Sequence, residues 1–216
     1  MEKGNIKEGI KIAGDLTVGD WFLLRRKLER DPKNELLWKE AFEFFERRLS
    51  TRYIQPIEAI ELKSKNQGEG FAVCTLLCSR IEALEGFYQG RTYRKSLKGE
   101  TIDESTEYFR SQPMFESFLK NREPFKQHFS TNKMALDFYE NFRCALLHEG
   151  ATRDGWTIRM ATNSIIEKRE GITIINPIRF LTAIKEFIGK YRKELLASPT
   201  LKKAYIRKMD SICKTV

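Results

Sequence analysis

The sequence predicts a mainly α-helical bundle carrying one small β-hairpin late in the chain. Apolar residues recur at three- and four-residue intervals along most of the 216 residues, the period of a helix with one buried face. Between about 156 and 175 the period drops to two, where Trp156, Ile158 and Met160 alternate with Thr157, Arg159 and Ala161. Proline and small polar residues punctuate the helical stretches at Asp31-Pro32, Ser130-Thr131-Asn132, Asn176-Pro177 and Ser198-Pro199.

Taken in order, Leu16 to Glu29 reads as a short helix stopped at Asp31-Pro32, because Pro32 biases Asp31 away from helix. Asn34 caps a long helix from Glu35 to about Lys63, with Leu36, Leu37, Ala41, Phe44, Phe45 and Leu49 as its stripe. Pro56 bends or divides that helix. Residues 66–70 form a turn cluster, and Phe71 to Tyr88 is the most apolar helix, ended by Gly86 or Gly90. Gln89 to Glu100 is expected as a basic loop. Ile102 to Lys120 is expected as short helices interrupted at Ser111-Gln112-Pro113, ending at Arg122-Glu123-Pro124. A helix from about Lys133 to His148 follows, closed by Gly150. Ile165 to Lys168 and Ile172 to Ile175 flank Arg169-Glu170-Gly171 as a hairpin, or as part of three strands. Asn176 and Pro177 open a helix through Leu196, and Ser198-Pro199 opens a last basic helix to about Ile212.

No repeat, low-complexity tract or linker divides the chain. One domain over 1–216 is expected: N-terminal helices to 66, a core bundle over 67–197, and a basic C-terminal helix over 198–216. That length buries a sizeable core without disulfides. No apolar run approaches the roughly 18 residues of a spanning helix, so no membrane is expected. Met1 to Ile6 lacks the apolar core of a signal peptide, and a cytoplasmic protein is the default. Cys74, Cys78, Cys144 and Cys213 have no metal-site spacing and read as buried reduced thiols, so neither a metal nor a cofactor is expected. Basic residues exceed acidic ones by nine, which favours polyanionic partners, nucleic acid first. The excess is concentrated at 91–98 and from Lys190 to the end; each stretch also reads simply as a solvated face.

One segment carries chemistry. Arg143 and His148 lie five apart in an apolar helix that stops at Gly150, and the chain has only two histidines. An always-charged guanidinium beside an imidazole that titrates near neutrality can stabilise an anion and move a proton. On a regular helix the two stand about 140 degrees apart; unwinding at the helix end, or a second copy across a dimer, would close the gap. Glu140, Cys144 and His148 share one face, with Asp137 and Asn141 on a neighbouring row. A structural reading stands beside this: His148 caps the helix terminus, and Arg143 pairs with Glu140 or Tyr139 one turn back. Elsewhere, His128 reads as a surface or satisfied loop histidine, and Glu82, on one helical row with Cys78, and Glu85 as a solvated face or partners of Arg80.

This segment resembles the HEPN superfamily, helical bundles marked by an Arg, four to six intervening residues and a His. Arg143 and His148 match with four between, on a late helix, and the resemblance is strongest from about Phe71 to Leu196. It implies a HEPN-type bundle acting as a metal-independent endoribonuclease, as a homodimer, in bacterial defence or toxin–antitoxin systems, with RNA and an antitoxin-like protein as partners. His148 would be general acid or base and Arg143 would hold the scissile phosphate. Glu140 and Asn141 would orient them, beside Cys144. Arg91, Arg94 and Lys95 would track the RNA backbone, and Tyr93 would stack a base. The chain departs from the pattern at Cys144, where active members often carry a polar Asn, Asp or His. The alternative is therefore a catalytically inactive module that binds nucleic acid or protein.

Overall fold

The computed structural model describes residues 7–60, 68–95 and 101–216. Residues 11–17, read in part as helix, form a pair of short strands instead. β1 (Lys11–Ala13) pairs antiparallel with β2 (Leu16–Thr17), so Leu16 lies outside the helix expected to contain it. Thr17 is extended and caps α1 (Val18–Arg30). Its hydroxyl accepts from the Asp20 N–H at 3.2 Å while the Asp20 carboxylate accepts from the Thr17 N–H at 2.8 Å, a reciprocal capping box.

Asn34 caps α2 (Glu35–Leu49) as expected, accepting from the N–H groups of Leu36 and Leu37. The helix then widens into a π turn over Ser50–Ile54 before α3 (Gln55–Ala59), with Pro56 in the first turn of α3. Proline thus divides the long helix, at a point where its missing N–H costs little. Helix stops at Ala59, since Ile60 is extended; residues 61–67, including Lys63 and part of the expected turn cluster, lie outside the described residues.

α4 (Glu69–Gln89) starts two residues before Phe71 and ends at Gly90, which adopts a left-handed φ of 67°. Two expectations fail next. Thr92–Tyr93 forms β3, paired in parallel with β4 (Glu107–Tyr108), inside what read as loop and short helices. From Asp103 the backbone is held in a turn, because its carboxylate accepts from the Ser105 N–H at 3.0 Å and from the Ser105 and Thr106 hydroxyls at 2.6 and 2.8 Å, bonds that compete with helix. α5 (Ser111–Asn121) begins where an interruption was expected. Pro113 sits in its first turn, where backbone donors have no intrahelical partner.

The Arg–His helix is continuous but not uniform. It runs as α6 (Asn132–Asp137), a π segment (Phe138–Cys144) and α7 (Ala145–Glu149), closed by Gly150 at φ 64°. The late sheet has three strands, β5 (Trp156–Ile158), β6 (Ile166–Arg169) and β7 (Ile172–Ile175). β7 lies central, parallel to β5 and antiparallel to β6. Glu170 and Gly171 both have positive φ, 49° and 80°, the type I′ turn whose twist suits a two-residue hairpin loop. α8 (Pro177–Ala197) and α9 (Pro199–Thr215) start at Asn176 and Ser198 caps, each with proline at its first position. The protein is mainly helical, and the described residues form three small sheets in place of the single hairpin.

α4 is the central helix. It packs against α5, α8 and α9, and burial of Val73, Leu77, Ile81, Leu84 and Phe87 accounts for its apolar composition. Phe138 anchors a second aromatic group with Phe142 at 4.8 Å, Phe129 at 5.1 Å and Trp156 at 5.2 Å. α9, expected as a basic surface helix, buries Leu201, Tyr205, Met209 and Cys213, and the Tyr205 hydroxyl donates to the Ala41 carbonyl at 2.5 Å. Glu85 is fully buried rather than solvated. Arg122 grips it through Nε and Nη2, both at 2.8 Å, Ser117 donates at 2.7 Å, and Arg80 is not its partner. Such a pair is held by its complete hydrogen bonding, since two charges leaving water cost several kcal/mol each, to order of magnitude.

Candidate functional site

Asp137 ties the Arg–His helix to the late sheet. Its carboxylate accepts from the Asn141 amide at 2.8 Å and the Trp156 indole at 3.0 Å, and the Asn141 carbonyl accepts from the Arg153 N–H at 2.9 Å. Asn141 is thus spent on the scaffold and does not orient Arg143 or His148. Between these ties the backbone takes its π segment, a feature frequent at functional sites, with Phe138 and Phe142 buried beneath it.

Arg143 is half-buried and faces α4. Its guanidinium carbon lies 5.1 Å from the Tyr139 ring centroid, its Nη1 is 3.6 Å from the Cys144 sulfur, and its Nε is buried with no acceptor. Among the described residues it has no carboxylate partner; Glu140, the other partner considered, is exposed and bonded to none. Its charge reaches the buried Cys78 thiol, where it opposes burial, but burial wins and pushes that thiol far up. The Tyr139 phenol is raised by burial, against the pull of Arg143 and with the Cys144 and Glu82 charges adding to the rise.

His148 stands exposed in the last turn of α7, with no hydrogen bond or ion pair among the described residues. Ala145–Glu149 is regular α-helix, so the π segment does not bring His148 round to Arg143. One guanidinium looks inward and one imidazole outward.

A polar cluster that sequence reading missed lies beside Arg143. Glu82 on α4 lies near the Tyr108 hydroxyl, and its charge reaches Tyr108, Tyr139 and Lys208. Lys208 is buried on α9 and donates to the Arg91 carbonyl at 3.0 Å. Burial lowers its amine to about 8; Glu82 opposes that shift and Arg48 adds to it. Its position among Tyr205, Met209 and Ile212 was the available signal, a lysine on an apolar stripe. Glu82 shares a helical row with Cys78, which placed it near the site but not in contact.

The expected RNA-tracking residues divide. Arg91 is a structural pin, its Nε and Nη2 donating to the Glu107 carbonyl at 3.1 and 2.7 Å. Arg94 pairs with Glu107 at 3.2 Å. Tyr93, 53% exposed, packs edge-on against Tyr108, and Lys95 is exposed. Residues 96–100, including Lys98, lie outside the described residues. His128 is half-buried, and that burial lowers its pKa. Among the described residues no three His, Cys, Asp or Glu side chains converge to hold a metal, and no helix is long and apolar enough to cross a membrane. Compared with known proteins, the chain matches no family model, no curated protein and no solved structure.

Proposed function

We propose that this chain is a HEPN-like, metal-independent endoribonuclease that uses Arg143 and His148. The carrying observation is the Arg143 guanidinium: half-buried and, among the described residues, without a counter-charge and held by only a ring face and a weak sulfur acceptor. A phosphodiester oxygen is a better acceptor than either, and desolvation strengthens its charge-assisted hydrogen bonds. In this reaction His148 takes the proton of the substrate's own 2′-hydroxyl, and the oxygen attacks phosphorus. The bond to the 5′-oxygen breaks and the leaving oxygen takes a proton from solvent water, giving a 2′,3′-cyclic phosphate and a 5′-hydroxyl. Arg143 stabilises the charge that builds on the phosphoryl oxygens.

The inward Arg143 and outward His148 favour a composite site in which each substrate meets the arginine of one copy and the histidine of another, hence a homodimer. A defence or toxin–antitoxin setting in a bacterial cytoplasm, with an antitoxin-like partner, belongs to the same proposal. The test is cleavage of single-stranded RNA in EDTA. His148→Ala and Arg143→Ala are each expected to abolish it, and a 1:1 mixture of the two inactive variants to recover part of the activity by forming mixed dimers. Cleavage that persists in both single variants sinks the reading.

A second reading is a binding module without cleavage. The engagement of Asn141 by Asp137 and of Cys144 by Arg143 favours it, because neither is then available to orient His148. It predicts salt-sensitive RNA binding with no cyclic-phosphate product.

A further inference from the structure

The start of the first basic stretch meets the last basic helix in the fold, where Lys208 donates to the Arg91 carbonyl. The end of α4 and the middle of α9 cross closely because Gly90 has no side chain: a Cβ there would stand 2.6 Å from the Ala204 Cα. The β3–β4 ribbon leaves α4 at this crossing, and an open groove of about 630 Å³ runs between the ribbon, α1 and α9. Arg25, Lys203, Arg207 and Lys214 line it, with Glu107 and Asp210.

Both carboxylates are already engaged. Asp210 accepts from the Trp21 indole at 2.8 Å and from Arg25 at 3.4 Å, and Glu107 pairs with Arg94 at 3.2 Å. Arg207 spends Nε and Nη2 on the neutral carbonyls of Gly90 and Gln89, at 2.7 and 3.1 Å. Its charge reaches Asp103, whose carboxylate is held chiefly by its hydroxyl partners Ser105 and Thr106. Lys203 and Lys214 form no ion pair among the described residues. The three cations lie on one face of α9, spread over eleven residues, which is about 16 Å of helix.

We propose that this groove is a track for the phosphodiester backbone of single-stranded RNA. A row of cations a few turns long, backed by the hydroxyls of Thr92, Thr106 and Ser211, matches a chain of phosphates; lysine serves as a point charge for phosphate. The track also has a defined relation to the Arg143 region. On β4, Glu107 faces the groove and the next residue, Tyr108, is buried against Glu82 on the other side of the ribbon. This rests on the reading that RNA is the substrate.

The test uses the full chain and a fluorescein-labelled 2′-O-methyl oligouridine of about twelve nucleotides. This probe has no 2′-hydroxyl to attack the phosphate, so binding is read without cleavage. Anisotropy is followed from about 50 to 200 mM salt. Lys203→Ala/Lys214→Ala, which touches exposed side chains only, is expected to raise Kd roughly tenfold. It should also flatten the log–log salt dependence by about 1.4, two phosphate contacts at ~0.7 each. Unchanged binding in the double variant, tighter binding to a duplex of the same length, competition by polyglutamate as effective as by polyuridine, or no binding at low salt each overturns the track. Binding that depends on the two lysines, with no cleavage of natural RNA, overturns the catalytic reading and leaves the track standing.

Discussion

Arg122 and Arg143 both lie over tyrosine rings, Arg122 at 3.5 Å from Tyr88 and Arg143 at 5.1 Å from Tyr139. Their counter-charges differ. Burial alone would lower the guanidinium of Arg122, but the bidentate bond to Glu85 holds it up, with Ser117 and Gln89 completing the carboxylate's partners. Arg143 has a thiol and a ring, and one of its nitrogens is an orphan. A structural arginine closes its own hydrogen bonding; a binding arginine leaves some of it for a ligand to complete. Unsatisfied buried polar groups are rare enough that each calls for an explanation.

The sharpest way to break this contrast is Glu85→Ala. It strands Arg122, whose side chain is only 16% exposed, and should cost about 3–5 kcal/mol of unfolding free energy in urea titration. A loss below about 1 kcal/mol would mean the pair is not structural. Arg143→Ala should do the opposite. RNA cleavage falls by about 10²–10³, while stability changes by less than about 1 kcal/mol, since no carboxylate loses a partner; a large stability loss would make Arg143 another structural arginine.

Lys208 tests the cluster between these two regions. Its amine, lowered to about 8, releases its proton in the folded chain between pH 8 and the ordinary lysine value near 10.5, while the unfolded chain still holds it. The unfolded state then binds more protons, so stability rises with pH across that window, by up to about 3 kcal/mol. Lys208→Met should remove this rise. The readout is the difference between native and variant unfolding free energies from pH 7.5 to 10, in which the titrations common to both proteins cancel. Equal slopes for the two proteins would show that the buried amine is not the cause.

The helices were legible because their signals are local. The Asn34, Thr131, Asn176 and Ser198 caps and the 3.6-residue stripes act within a turn or two, and helix boundaries followed them closely. The errors fell where a longer-range or competing bond prevailed. Leu16 went to a strand because β1 was there to pair with it. Residues 103–106 went to a turn because Asp103 collected its neighbours' hydroxyls. Within the site, sequence spacing put Arg143 and His148 on one helix and named Tyr139 as a partner for the arginine. It did not foresee that Asn141 is committed to Asp137, which Trp156 also binds, nor that Arg91 is a pin, since both depend on residues 4 to 19 positions away meeting in space.

By itself, the sequence determined the mainly helical class, the late sheet, the basic balance and the presence of an arginine and a histidine on one helix. These follow from periodicity, composition and local hydrogen-bonding habit. Only the tertiary structure decided which charges are compensated. It paired Glu85 with Arg122 from 37 positions away, left Arg143 without a carboxylate among the described residues, buried Lys208, and brought the β3–β4 ribbon to the cationic face of α9. Whether a charge is satisfied depends on what packs against it and how much water remains, and no spacing along the chain encodes that.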